Sequence, residues 1–194
     1  MAKKTTSGTK SKIITAAWKL FYEQGYDDTT IEDIVAASGT SKGSFYHYFE
    51  GKDALLSSLS YLFDEEYEKL TPVLTDSMTA KEKLLFLNRQ LFSMIENSIS
   101  LELLAKMYST QLVTKGERHL LDHNRTYYKL LRKIVSEGQK KGELNPAYSA
   151  NDVVKTYALL ERALLYDWCV CNGEYSLSQY AGNLLPRLMA DYFI

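Results

Sequence analysis

Apolar residues recur along this chain with a period of three to four, and the pattern predicts helices from end to end. Ile13, Ile14, Ala17, Leu20 and Phe21 keep that spacing between about residues 9 and 24, and Gly25 follows where a helix C-cap needs a left-handed residue. Thr30-Ile31-Glu32-Asp33 spells a capping box with Asp in the reciprocal position, and Ile31, Ile34 and Val35 form a short stripe that stops at Gly39. A third short helix fits residues 42–48. Longer helices are predicted beyond Gly51, over 52–70, 79–98, 100–116, 118–144, 150–173 and 176–194, with Pro72 and Pro146 as breaks and Pro186 as a kink. No strand alternation, internal repeat or low-complexity tract interrupts this. The expected fold is all-α: an N-terminal three-helix helix-turn-helix module followed by a larger helical bundle.

Composition refines the picture in three places. A chain of 194 residues, 45% hydrophobic and 24% charged, suits one sizeable core or a small module joined to a larger one, and it is not the composition of a disordered chain. Net charge is −1, yet residues 1–20 contain five lysines and no acid, so they carry +5 and the remainder −6. A basic arm on an acidic body points to polyanion contact or to a solvated tail. The basic N-terminus lacks an apolar segment behind it, and no run of about 18 apolar residues occurs. Cys169 and Cys171 are too close in sequence to link distant segments and read as reduced, buried thiols. These features set the expectation of a cytoplasmic protein with no membrane partner.

The stretch SGTSKGSFYHYF, residues 38–49, carries the chemistry. Gly39-Thr40-Ser41-Lys42-Gly43 matches the G-x-S-x-G spacing of a serine hydrolase, but a nucleophile elbow requires a strand before the serine, and a capped helix stands there instead. As a helix-turn-helix the same residues are better explained. Gly39 turns the chain, Thr40 or Ser41 caps the next helix, Phe45 and Phe49 face inward, and Gly43, Ser44, Tyr46 and His47 face outward. Small and hydrogen-bonding groups suit a surface that enters a DNA groove. Lys42 at the helix start is placed to reach a phosphate or a guanine edge.

Residues 10–60 resemble the helix-turn-helix domain of the TetR family of transcriptional repressors, with Phe21, Gly25-Tyr26, Thr29-Thr30, Ile34, Gly39, Ser41-Lys42-Gly43, Tyr46, Tyr48-Phe49, Lys52 and Leu55 in step. Two departures stand out: the placing of Val35-Ala36, and Thr40 where Val is common. Downstream the resemblance is one of architecture. It implies that Lys42, Gly43, Ser44, Tyr46 and His47 approach bases and backbone in the major groove, and that Thr30 and Lys52 hold phosphates at helix starts. It implies a flexible arm over 1–9, a DNA-binding domain over 10–55, and an effector-binding and dimerisation domain over 56–194. The partners it implies are double-stranded operator DNA, a second copy of the chain, and a small effector; no cofactor and no enzymatic activity are implied. The alternative function is a helical protein-interaction module that does not bind an operator.

Polar residues set into apolar stripes mark where an effector cavity would lie: Gln111 after Met107 and Tyr108, Asn124 between Leu120 and Tyr128, and Glu161 between Tyr157 and Leu165. With Met94 they suggest an apolar ligand, aromatic and planar molecules included. The last two helices are apolar over more than one stripe, which makes Leu160, Leu164, Leu184 and Leu188 the expected dimer contacts. His119 and His123 stand four apart, but Leu120 replaces the Glu a zincin would need, and no metal site is expected.

Overall fold

The computed structural model describes residues 3–56, 58–113 and 118–194, leaving aside the side chains of residues 3–7 and 61. The helices are α1 (Lys3–Gln24), α2 (Ile31–Ser38), α3 (Lys42–Tyr48), α4 (Lys52–Leu56), α5 (Leu59–Leu70), α6 (Ala80–Ser98), α7 (Leu101–Val113), α8 (Thr126–Lys140), α9 (Ala150–Val170) and α10 (Leu177–Leu188). Among the described residues the only extended pairing is a single antiparallel bridge, Leu144 with Phe193. The chain divides into two compact units, residues 1–60 with 102–120, and residues 61–101 with 121–194. A cut at residue 55 does not reproduce this division, because most of α7 groups with the N-terminal segment.

In the first unit α1, α2 and α3 pack on one another around Ile13, Ala17, Phe21, Ile34 and Phe45, all essentially inaccessible. Thr30 caps α2 as expected: its hydroxyl accepts from Asp33 N, and the Asp33 carboxylate accepts from Thr30 N at 2.9 Å. Gly39 takes φ +63°, and the amides of Gly39 and Thr40 return to the carbonyls of Ala36 and Val35, closing α2 where a side chain would strain the backbone. The arm expected over 1–9 differs from what is found: the backbone is helical from Lys3 onward, while residues 1 and 2 lie outside the described residues.

In the second unit α6 packs against α8 and α10, and α8 against α9. A Cβ on Gly138 of α8 would lie 2.4 Å from Ala80 Cβ, so only glycine admits this approach of the α6 start. The Glu143 carboxylate accepts from Ala80 N at 2.6 Å, and Glu96 accepts from Leu177 N and Ser178 N, capping α10.

Two helix predictions are corrected. The helix expected over 52–70 is in two pieces: the Ser58 hydroxyl turns back to the Leu55 carbonyl and also accepts from Trp18 Nε1 at 3.0 Å, so side-chain bonds compete with the helical ladder. The helix expected over 118–144 begins only at Thr126. Asp122 Oδ1 accepts from Asn124 N in a local turn, and His119 lies in a short 3₁₀ segment, His119–Leu121. His119 and His123 therefore do not share a helix face.

Candidate nucleic-acid interface and effector site

The outward face of α3 is built by its cap and its core. Ser41 is the N-cap, accepting from Ser44 N at 3.1 Å, and Thr40 instead pairs its hydroxyl with Ser38 at 2.7 Å. Phe45 and Phe49 are buried with ring centroids 5.7 Å apart, which fixes the helix rotation and turns Gly43, Tyr46 and His47 to solvent. Tyr46 is 55% exposed, large for an aromatic ring. Its edge rests on Phe45 and the His47 ring lies edge-on to Tyr48, so both are braced from behind. A Cβ on Gly43 would meet only Ser41 Oγ, at an ordinary 3.8 Å. Among the described residues nothing demands glycine there. Ser44 is half-buried, with its hydroxyl 3.0 Å from that of Ser41.

The charged residues assigned to DNA divide. Lys42, at the first position of α3, pairs with Glu32 of α2; both are exposed, and the contact holds the lysine's affinity for its proton up and that of Glu32 down. Such an exposed pair is exchangeable for a phosphate. Thr30 is committed to Asp33 through its amide and hydroxyl, and Glu32 and Asp33 occupy the first turn of α2, which disfavours an anion at that helix start. Lys52 is held in the protein. Its ammonium donates to the carbonyls of Tyr26, Asp27 and Thr29 at 2.7, 3.2 and 2.9 Å and sits 4.4 Å from the Tyr26 ring centre. Three carbonyls match the three N–H bonds of an ammonium, so Lys52 braces this turn.

Tyr26 is a second junction that the sequence reading missed. Its hydroxyl donates to Asp53, and burial together with that carboxylate pushes its ionisation up. Lys106 of α7 lies 4.5 Å from the Tyr26 ring centre and pairs with Asp27 at 2.7 Å and Glu102 at 2.9 Å.

The seven candidate effector residues fall in both units. Met107 and Gln111 are buried in the first, where the Gln111 carbonyl accepts from Arg118 Nε at 2.9 Å. Tyr128, Tyr157 and Glu161 are buried in the second, where Met94 is half-buried. Asn124 is corrected: it is exposed in the turn before α8 and lies on no helical stripe. Glu161 accepts from Asn88 Nδ2 at 2.8 Å and from the Tyr127 hydroxyl at 2.6 Å, and burial pushes its pKa up against those bonds. The Tyr157 hydroxyl donates to the Leu84 carbonyl at 2.8 Å, and that of Tyr128 accepts from Arg162 at 3.2 Å. Asn88 and Tyr127 carried the same signal as Gln111, a polar group inside an apolar stripe.

Of the expected dimer contacts, Leu164 is 5% exposed and belongs to the unit's own core, and Leu160 and Leu184 are half-buried. The uncovered stripe of α9 is Leu159, Ala163, Tyr166 and Val170, and Leu188 with Tyr180 is exposed on α10. Cys169 and Cys171 are half-buried free thiols, less enclosed than expected; burial pushes Cys169 up to about 11.

A capped two-helix turn that presents braced polar groups and a glycine on its second helix is a DNA-reading module. Residues 13–59 match the model of bacterial regulatory proteins of the tetR family. This segment is the helix-turn-helix domain of the TetR family of transcriptional regulators. The chain is 26% identical over 180 residues to the fatty acid metabolism regulator protein of Bacillus subtilis, covering 92% of this chain and 93% of the relative. Two solved structures share the fold. Thermus thermophilus FadR in complex with lauroyl-CoA has a TM-score of 0.71 at 23% identity, covering 95% of each chain. FadR of B. subtilis in complex with stearoyl-CoA has a TM-score of 0.65 at 22% identity, covering 94% of this chain and 98% of that one. Among the described residues no helix is long and apolar enough to cross a membrane.

Proposed function

We propose that this chain is a cytoplasmic repressor that occupies a palindromic operator as a homodimer and releases it when a small, mostly apolar effector binds. The observation that carries the reading is the outward face of α3, where Gly43, Tyr46 and His47 are presented without serving any internal contact that would require them. Tyr46 and His47 offer donors and acceptors to base edges, Gly43 allows close approach, and Lys42 trades Glu32 for a phosphate or a guanine edge. Ser44 supports the helix start through Ser41 and reaches backbone. Thr30 caps α2, and Lys52 braces the turn before it.

A single reading head makes few base contacts, and two-fold pairing doubles them. The uncovered stripe of α9 with Leu184 and Leu188 of α10 supports that pairing, as a bundle formed with the same helices of a second copy. The acyl-CoA ligands of the two structural neighbours support an effector with a long apolar part. Selection from random duplex DNA by the full chain tests the reading. A palindrome is expected, and His47→Ala should relax base preference at one position in each half-site by about 1–3 kcal/mol. Recovery of no preferred duplex overturns it.

A further inference from the structure

The second unit contains two polar atoms whose needs are unmet. The Tyr67 hydroxyl of α5 and Asn88 Oδ1 of α6 are buried, and among the described residues neither has a hydrogen-bond partner. Buried polar groups are almost always paired, and in a protein otherwise this well satisfied two unpaired ones in one place call for an explanation. They belong to one constellation. Asn88 gives its Nδ2 to Glu161, Tyr127 gives its hydroxyl to the same carboxyl, and the Tyr67 and Tyr127 rings lie 5.1 Å apart. Tyr127 and Tyr157 have their own acceptors, Glu161 and the Leu84 carbonyl. What remains open is one donor, Tyr67 O–H, and one acceptor, Asn88 Oδ1.

We infer that this pair recognises the single neutral polar group of an otherwise apolar effector, a hydroxyl or a carboxamide, that enters between α5, α6, α8 and α9. The inference rests on the effector-responsive reading above and names the ligand class. A hydroxyl or carboxamide both donates and accepts, so it satisfies Asn88 and Tyr67 together. A carboxylate has no proton for Asn88 and would face Glu161; a quaternary ammonium can neither donate to Asn88 nor accept from Tyr67. Tyr67, Asn88, Tyr127 and Glu161 are all buried, so entry separates the helices that carry them, and a ligand bound there favours the separated arrangement.

The test has a part that needs no ligand. Tyr67→Phe removes an unmet group from the resting protein and should raise its Tm by about 2–4 °C, the shift that relief of one buried unpaired hydroxyl implies for a chain of this size. Tyr127→Phe removes a paired hydroxyl and should lower it. A fall in Tm for Tyr67→Phe would show a standing partner for the hydroxyl and overturn the inference. The second part compares 1-decanol, decanamide, decanoate and decyltrimethylammonium, which share a chain length and differ in the head, by thermal shift of the full chain. Decanol and decanamide should stabilise the protein, and that gain should vanish in Tyr67→Phe. Equal stabilisation by all four heads, or none by decanol and decanamide, overturns the inference. Binding of the selected duplex, measured on the same wild-type preparation, separates the two claims: a chain that binds its duplex while answering to neither head remains a DNA-binding regulator and loses this effector class.

Discussion

Lys52 binds the carbonyl of Tyr26 and covers its ring, so one cation closes the turn between α1 and α2 from the start of α4. Its two further bonds, to the Asp27 and Thr29 carbonyls, use the remaining protons of the ammonium. Lys52→Met should therefore leave the salt dependence of operator binding unchanged and lower the Tm by about 4–8 °C, the loss expected when a charged donor to several carbonyls is removed. Loss of a phosphate contact would instead reduce the slope of log K against log salt by about one, and titration at several salt concentrations separates the two.

The other face of the same junction belongs to α7. Lys106 lies over Tyr26 and pairs with Asp27, so the segment 102–120 is fastened to the turn that leads into the helix-turn-helix. Lys106→Ala should weaken operator binding by about 2- to 30-fold while leaving base preference as it was, since it changes the placing of the module and no base contact. A variant with altered base preference at unchanged affinity would contradict this placing role.

Gly138 predicts a stability effect with no functional counterpart. Gly138→Ala gains up to about 1 kcal/mol of helix propensity but drives a methyl into the rigid Cβ of Ala80, an overpacking that costs about 1–3 kcal/mol. Net destabilisation should appear as a lower urea midpoint with an unchanged m value. In an Ala80→Gly background the cost should largely disappear.

What the sequence made legible follows from how local each signal is. α2 and α3 could be read because their caps, Thr30 with Asp33 and Ser41 with Ser44, lie within three residues of what they cap. The outward face of α3 followed from Phe45 and Phe49 alone. Lys52 could not be read, since its partners lie 23 to 26 residues earlier and are backbone carbonyls, which no side-chain pattern reveals. His119 and His123 kept helical spacing, but the Asp122 turn between them overrides periodicity. On α9, Leu159 and Leu164 are equally apolar, and only the packing of α8 and α10 decides which of them the unit's own core consumes.

That distinction sets the assembly prediction. Leu159→Glu combined with Tyr166→Glu should yield monomers of normal helical content, because both side chains are more than half exposed in the single chain. Leu164→Ala should instead lower stability by about 2–5 kcal/mol, as removal of a buried leucine side chain does. Sedimentation decides: if the double variant still runs as a dimer, the pairing surface does not include the α9 stripe.

Glu161 predicts a pH dependence of defined sign. Burial raises its pKa above the ordinary value of 4.5, although Asn88, Tyr127, Tyr157 and Arg162 favour the charged form. The folded chain thus keeps this proton over a range in which the unfolded chain has already lost it. Stability falls with rising pH from near 4.5 until the folded-state pKa is passed, at up to about 1.4 kcal/mol per pH unit. Glu161→Gln removes the titration and leaves an uncharged side chain of the same size. Urea midpoints of the two proteins, compared between about pH 4 and 8, should move apart with rising pH to the disadvantage of the wild type until the folded-state pKa is passed, with other groups cancelling in the difference. A difference that stays constant over that range would mean that Glu161 ionises alike in the folded and unfolded chain, and that its neighbours meet the whole cost of its burial.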